Sequence, residues 1–380
     1  MSIPAYRSIP CSPGDRGVAF GAAMRDRIRC ALGVYERMFA EDVGLGEDDV
    51  RAAGEAVGST VGAWRPALVD EICGIARGAG LPEGLALALN ARTELLAGGV
   101  VAGTPARQPV ECSTVGLERT AASRSTVGLE RTDASEPDRI VLAQTWDWHP
   151  DLDEARVLWQ IERPDGSSLT TFTEAGVLAK TGVSSRGLAL SINFLASSLD
   201  GGTGGIPVHL LARAILEECE TVDEVIGLIG AAPRTGSVAL TVAACTGDGS
   251  GGRQLVTLEL TPREIAIREP AGGKLIHTNH FLVELDGTGP AEVNSASRYE
   301  QLEDALLTVD PATAGPDELF ELLASDNAEE PILRRPRHDD PWLEQWATLA
   351  TVCYSLPSGR MWIRDALGDE PPVCVKHPSA

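Results

Sequence analysis

Much of what bounds this chain is missing from it. No apolar run in its 380 residues reaches the length of a membrane span, which takes about 20 consecutive residues. The start, Met1-Ser2-Ile3-Pro4-Ala5-Tyr6-Arg7, has no basic stretch leading into an apolar one, so no signal peptide is read there. Positive charge is scarce: 32 Lys and Arg stand against 55 Asp and Glu, a net charge of −23. That balance argues against nucleic acid and anionic membrane surfaces as partners. It does not exclude a small anionic substrate, because local arginines can offset it. Aromatic residues make up only 4%, too few to place a substrate pocket from sequence. The eight cysteines contain no C-x-x-C pair and no zinc spacing. His277 and His280, three apart with no further ligands, make a weak metal site, so neither metal nor bound cofactor is expected. Gly201-Gly202-Thr203-Gly204-Gly205 lacks the Lys-Ser/Thr of a phosphate loop and reads as a turn before a helix. Unpaired cysteines without an export signal fit a reducing cytoplasm.

What is present is a 43% hydrophobic chain, enough for a substantial core. Up to about Leu96 it reads helical. Arg16 to Glu41 repeats apolar residues at helical spacing, Trp64 to Arg77 does the same, and Leu85 to Leu96 follows the break at Gly78-Ala79-Gly80-Leu81-Pro82. From Cys112 the texture turns to short β-branched strands separated by Gly, Pro or Asp. Helices interrupt them at Pro207 to Cys219 and Val222 to Ile229, and two more follow at Ala296 to Leu307 and Asp317 to Leu323. Such runs predict layered sheets with helices outside.

Cys112 is the cysteine with distinctive surroundings. It follows a loop-like stretch, Ala97 to Pro109, and opens a strand-like run through Thr114 to Leu117. A thiol at such a junction, with hydroxyls directly after it, is a candidate nucleophile and a candidate self-cleavage point. The other seven lie scattered, mostly in apolar patterns that suit a small buried hydrophobe. Directly behind Cys112 the run Ser113-Thr114-Val115-Gly116-Leu117-Glu118-Arg119-Thr120 recurs as Ser125 to Thr132. The second copy has Arg124 where the first has Cys112, so it duplicates a strand but not the thiol. A longer hairpin or surface loop is expected there.

Five pieces stand in order along the chain: Asn90-Ala91-Arg92-Thr93-Glu94, Glu111-Cys112-Ser113-Thr114, Gln144-Thr145-Trp146-Asp147-Trp148, His277-Thr278-Asn279-His280-Phe281 and Pro331-Ile332-Leu333-Arg334. Together they resemble the acyl-coenzyme A:6-aminopenicillanic acid acyltransferase family of N-terminal-nucleophile hydrolases. The likeness runs from about Arg16 to the C-terminal strands. It implies an α+β fold, a four-layer αββα sandwich with mainly antiparallel sheets, forming one structural domain. The precursor would cut itself between Glu111 and Cys112. Residues 1–111 would become a helical α fragment that stays associated with residues 112–380, the β fragment that carries the nucleophile. The freed α-amine, titrating near pH ~8 in model compounds, would serve as base for its own thiol.

The resemblance also assigns roles. Cys112 would form a thioester with a small acyl substrate, Asp147 would hold the N-terminal amine, Asn279 would donate to the oxyanion, and Arg334 would complete the site near Asp147 or the substrate. Arg335 and Arg337 lie close enough in sequence to compete for that last role. Ser113, Thr145, Trp146 and Asn193 are the candidate substrate contacts. Acyl-coenzyme A is admitted as co-substrate, and a homo-oligomer is compatible with the reading. The penicillin enzyme of the family has Gly where this chain has Glu111, and Thr145 stands where Asn usually precedes the Trp-Asp pair. The duplicated segment also sets Asp147 farther behind Cys112 than the family pattern.

Plainer readings compete. Asp147 could cap a turn, Asn279 could bridge a turn between His277 and His280, and Arg334 is by default a solvated arginine. Arg92 and Glu94 could pair with each other. At the level of function, an amidohydrolase or acyltransferase competes with a catalytically silent binding or scaffold relative, and with a self-cleaving peptidase.

Overall fold

The computed structural model describes residues 3–98, 112–119, 139–245, 254–326 and 331–375. A short strand β1 (Ala5–Ser8) leads into six helices: α1 (Pro13–Ala23), α2 (Arg25–Asp42), α3 (Glu47–Trp64), α4 (Pro66–Ala79), α5 (Glu83–Asn90) and α6 (Arg92–Gly98). The sequence predicts one helix over Arg16–Glu41, but two form. Met24, at φ −106° and ψ 15°, breaks the axis. The break lets α1 lie along α4 while α2 buries Ile28, Tyr35 and Phe39. The α1–α4 crossing is extremely close: a Cβ on Gly21 would sit 2.2 Å from the Ile75 carbonyl oxygen, and one on Gly74 2.3 Å from that of Gly14. Helix α3 falls within the stretch that reads helical, but the sequence marks no separate helix there. Its apolar positions, Val50, Val57 and Val61, are diluted by Gly54, Gly58 and Gly62, which weakens the periodic signal. Gly54 packs on α5, where a Cβ would meet the Gly84 carbonyl oxygen at 1.9 Å.

The strands follow: β2 (Thr114–Glu118), β3 (Ile140–Trp148), β4 (Arg156–Glu162), β5 (Ser168–Glu174), β6 (Thr181–Ser184) and β7 (Leu188–Phe194). Helices α7 (Val208–Glu218) and α8 (Val222–Ala231) intervene before β8 (Val238–Ala244), β9 (Leu255–Leu260), β10 (Ile265–Arg268) and β11 (Lys274–His277). Then come α9 (Val293–Leu306), α10 (Pro316–Leu322), β12 (Ala347–Leu356), β13 (Arg360–Asp365) and β14 (Val373–Val375). The second copy of the duplicated run lies outside the described residues.

One sheet has the order β1-β4-β5-β6-β7-β8-β9-β10 and the other β11-β2-β3-β12-β13-β14. Among these pairs β1–β4 is parallel and the rest are antiparallel. The sheets face each other through β3 and β12 against β7, and β11 against β9. Helices α7 and α8 cover the outer face of the larger sheet, and α9 and α10 that of the smaller. This is an α+β fold in four layers, αββα. A second apolar cluster, with Val115, Leu117, Val141, Ala143, Leu302 and Phe320, fills the space between the smaller sheet and its helices.

Gly21→Ala must push the two helices apart and should cost about 1–3 kcal/mol. Gly33→Ala, on an exposed helical site with nothing within 4 Å, should gain roughly 0.5–1 kcal/mol from lost chain entropy. Urea denaturation of both variants checks the contrast. Equal effects would remove the crossing as the cause.

Candidate active site

Cys112 lies just before β2, pinned by its neighbours. The Ser113 N–H donates to Thr145 Oγ1 at 2.9 Å, and Thr145 N–H returns a bond to the Ser113 carbonyl, also 2.9 Å. The Cys112 carbonyl accepts from Asn193 Nδ2 at 2.9 Å and from Arg298 Nη1 at 3.0 Å. Asn193 belongs to β7 of the opposite sheet, and its Oδ1 accepts from Thr114 Oγ1 at 2.7 Å. The residue before the thiol, Glu111, lies outside the described residues.

Strand periodicity divides the surroundings of Cys112 into two faces. On β3, Gln144, Trp146 and Trp148 point between the sheets. Trp146 packs edge-on against Phe172, with their ring centres 6.0 Å apart, and the Gln144 side chain bonds the backbone of Ile192 on β7. Trp146, Trp148, Ile192 and Phe194 line an apolar pocket together with Cys112 and four residues of α6 (Arg92, Thr93, Leu96 and Ala97). Thr145 and Asp147 alternate to the other face, toward α9. Opposite Asp147 the strand β12 is irregular, with a register shift between Thr348 and Ala350. Such bulges re-aim side chains next to sites.

The polar face is organised by Arg298 of α9, which has no exposed surface. Besides the Cys112 carbonyl, Nη1 reaches Ser113 Oγ at 2.9 Å, Nη2 reaches Asn279 Oδ1 at 3.0 Å, and Nε reaches Asn294 Oδ1 at 2.9 Å. Asn279 is further fixed by its own N–H to Ser295 Oγ at 2.7 Å and by Nδ2 to the Phe194 carbonyl at 3.1 Å. The turn that carries Asn279 is tied to β9. Glu259 accepts from the Leu282 and Val283 N–H groups, each at 3.0 Å, and pairs with His277 Nε2 at 3.0 Å. His277 and His280 therefore serve hydrogen bonds here. Among the described residues, no His/Cys/Asp/Glu group of three or more is placed to hold a metal ion.

Neither carboxylate oxygen of Asp147 makes a well-formed hydrogen bond among the described residues, although the Thr145 and Thr348 side chains lie close enough to favour its charged form. Burial pushes its carboxyl up to about 7, against the opposing pull of Arg298 and of Thr348 and Thr145 alongside. The thiol of Cys112 is pushed up to about 12, first by burial and then by the charge of Asp147, while Arg298 and Lys180 act the other way. Its sulfur lies 3.9 Å from the Asp147 carbonyl oxygen. The thiolate is the nucleophilic form, and burial keeps this thiol mostly protonated at neutral pH.

The structure gathers Cys112, Ser113, Asn193 and Asn279 into one bonded cluster, with Thr145 and Asp147 against it and Trp146 on the pocket side. Arg334 enters differently. Its N–H donates to Thr348 Oγ1 at 2.8 Å and its carbonyl accepts from the Thr348 N–H at 3.0 Å. Thr348 is the register partner of Asp147. The guanidinium acting on Asp147 is that of Arg298, a residue the sequence reading passed over. The available signal was Asn294 and Arg298 four apart near a helix start, placing both on one face. Nor do Arg92 and Glu94 pair with each other: Arg92 lies 3.5 Å from Glu174, and Glu94 accepts the Val208 N–H at 2.8 Å.

Because Asp147 is held above its ordinary value of 3.8, the folded intact chain binds a proton that the unfolded chain releases earlier. Its contribution to stability is therefore full at low pH and is lost as pH rises from about 4 through about 7. Asp147→Asn in a Cys112→Ala background should flatten that fall by on the order of 1–4 kcal/mol. Urea denaturation across the window measures it. An unchanged pH slope would mean Asp147 is not perturbed. Glu94, also raised to about 7 by burial, leaves a residual slope.

The sequence profile described as acyl-coenzyme A:6-aminopenicillanic acid acyl-transferase matches residues 134–367. The 40 kDa form of the acyl-coenzyme A:6-aminopenicillanic-acid-acyltransferase of Emericella nidulans is 27% identical over 273 residues. That alignment spans 70% of this chain and 66% of the relative's own length. Two solved structures are similar at low identity. A Caenorhabditis elegans N-acylethanolamine-hydrolyzing acid amidase ortholog has 14% identity and a TM-score of 0.45, over 65% of this chain and 94% of that one. A penicillin V acylase from Agrobacterium tumefaciens has 13% identity and a TM-score of 0.46, over 69% of this chain and 86% of that one. With more than half of its length matched by the profile, the chain belongs to the acyl-coenzyme A:6-aminopenicillanic acid acyl-transferase family.

Proposed function

We propose that the protein is a self-cleaving cysteine amidohydrolase or N-acyltransferase acting on a small acyl compound, with Cys112 as nucleophile. The observation that carries this is the convergence on Cys112: its carbonyl held by Asn193 and Arg298, its side chain against an apolar pocket, and Asp147 beside it.

In the precursor, Cys112 Sγ attacks the Glu111 carbonyl carbon and its proton passes to the departing nitrogen. The Glu111–Cys112 C–N bond breaks and an S–C bond forms. Water then hydrolyses this thioester, leaving a carboxylate on Glu111 and an α-amine on Cys112. The amine then supplies a base directly beside the thiol. It takes the thiol proton, and the thiolate attacks the substrate's acyl carbon. Asn279 donates to the oxyanion, Asp147 holds the ammonium form of the amine, and the leaving group departs with that proton. Water or an amine acceptor then resolves the acyl-Cys112 thioester. Acyl-coenzyme A, named in the relative, is the candidate donor for the transfer route. Arg298 positions the reacting backbone and Asn279. Arg334 supports Asp147 by holding Thr348, its register partner, with its own backbone N–H and carbonyl.

The α fragment, residues 1–111, stays with the β fragment, residues 112–380, because buried bonds cross between them. Asn90 accepts from the Leu178 N–H at 2.9 Å and donates to the Gly176 carbonyl at 2.8 Å. Arg213 of α7 donates to Glu71 of α4 at 2.9 Å. The free cysteines suit a reducing cytoplasm.

Intact mass spectrometry of purified protein should find a fragment that begins at Cys112, and Cys112→Ala should remain one chain without acyl-transfer or amidase activity. Asn279→Ala should lower kcat ~100-fold or more. A wild-type chain that never cleaves, or full activity in Cys112→Ala, would sink the reading.

A further inference from the structure

Behind the pocket wall at Trp146 lies a buried cation. The Lys180 ammonium sits 3.8 Å over the Trp146 ring, a cation–π contact, and Trp146 lines the same pocket as Cys112. Lys180 stands just before β6 and has no exposed surface. Its ammonium donates to Glu174, at the end of β5. Glu174 also accepts from Tyr35 Oη at 2.7 Å and lies 3.5 Å from Arg92. The Arg92 guanidinium in turn faces the ring of Trp148, another pocket wall, at 5.7 Å. One carboxylate thus serves two buried cations, and each cation backs a tryptophan of the pocket.

The groups around this cluster do not restore the balance. Burial holds the Tyr35 hydroxyl well above the ordinary phenol range, and so neutral. Burial first, then Arg92 and Lys180, hold His209 of α7 well below the ordinary range, and so neutral. Glu94 is pushed up to about 7 by burial, toward its neutral form. With Lys180 protonated, the cluster is short of one negative charge. A buried ion pair is a weak device for stability, since apolar residues of similar size often serve as well. Beside a candidate nucleophile, such a cluster points to function.

The Cys112 thiolate is the charge that would complete it. Burial first, and then the charge of Asp147, oppose that thiolate, while Arg298 and Lys180 favour it. Arg298 acts from the polar face and Lys180 from behind the pocket wall. The coupling runs both ways. Burial and then Arg92 pull the Lys180 ammonium well below the ordinary lysine range, and Glu174 and Cys112 act to hold it up. Each charge therefore favours the other.

We propose that Lys180 is a positioning residue of the reaction: held by Glu174 behind Trp146, its ammonium is the fixed positive charge against which the Cys112 thiolate forms. The proposal rests on the acyl-enzyme reading and adds a residue to it. The proton balance is unchanged, because the α-amine takes the thiol proton and Lys180 keeps its own. Tyr35 and Arg92 lie before the cut, Glu174 and Lys180 after it, so both fragments build this charge.

Labelling of Cys112 by iodoacetamide, followed by peptide mass from neutral to alkaline pH, tests this without an acyl substrate. Lys180→Met keeps an unbranched side chain and leaves Glu174 beside Arg92. In the folded, cleaved variant the midpoint of labelling should rise by about one pH unit or more, with labelling below both midpoints roughly tenfold slower. Lys180→Arg, which keeps the charge, should recover most of that loss. A packing defect would slow labelling at every pH and leave the midpoint in place. An unmoved midpoint in Lys180→Met overturns the proposal, as does an equal shift in Lys180→Arg. If Lys180→Met does not fold, the Lys180→Met/Glu174→Gln double variant, which removes both charges of the pair, is read by the same criteria. A folded Lys180→Met that stays one chain while Lys180→Arg cleaves supports the proposal, since attack on the Glu111 carbonyl draws on the same thiolate. Failure of both to cleave overturns it. A wild-type chain that labels at Cys112 but never cleaves sinks the catalytic reading, and the midpoints of the intact chains then decide the role of Lys180 separately.

Discussion

A single buried guanidinium holds the site in register. Arg298 has no exposed surface, and it donates to a carbonyl, a hydroxyl and two side-chain amides. A buried cation needs both hydrogen bonds and an opposing charge, and Asp147 supplies the charge. The dependence runs both ways. Without Arg298 the Asp147 carboxyl would rise further, and without Asp147 the cation would lose an opposing charge beside it. Removing one partner of such a buried pair generally costs about 3–5 kcal/mol. The same guanidinium joins the backbone at Cys112 to the amide of Asn279, so neither can shift alone.

That hub works because the sheets put it on one side of a strand and the pocket on the other. Alternation along β3 sends Trp146 and Trp148 between the sheets and Asp147 toward α9. Cys112, at the mouth of β2, sits where the two faces meet. Polar links keep the two sheets from sliding. They are Thr114 to Asn193, Gln144 to the Ile192 backbone, Thr181 to Tyr354 at 2.8 Å, and His277 to Glu259. A slip of one residue would turn the apolar face toward Arg298 and the carboxylate into the pocket. Each link is fully buried, so breaking it would strand a polar group.

The outline of this arrangement was legible in the sequence, and its centre was not. Short β-branched runs between turn residues marked most strands, and the Cys-Ser-Thr, Trp-Asp-Trp and His-Thr-Asn-His pieces marked residues that do converge. Arg298 escaped because a lone arginine in Ala296 to Leu307, amid Glu300, Glu303 and Asp304, reads as part of a solvated face. Its burial comes from the packing of α9 against the smaller sheet, which no local pattern encodes. Helix α3 escaped for the opposite reason, since glycines needed for close helix contact erase the periodic signal. Arg334 holds Thr348 through its own backbone N–H and carbonyl, contacts to which its charge was no guide.

The helices ahead of Cys112 also change meaning once the contacts are known. A segment meant to leave after cleavage would meet the rest across a surface of water-tolerant contacts. Here Glu71 of α4 lies between Arg16 of its own segment and Arg213 of α7, all three buried. Asn90 closes the turn after β5, and Glu94 takes the Val208 N–H at the start of α7. Pulling these helices away would leave Arg213 short of a partner and that N–H bare, costs that no new hydrophobic burial offsets. Cutting one peptide bond removes none of these interactions. On the proposed reading, cleavage therefore acts only where the bond was. It turns an amide nitrogen into an amine beside a thiol that burial keeps mostly protonated, and it leaves the pocket walls of α6 where they stood.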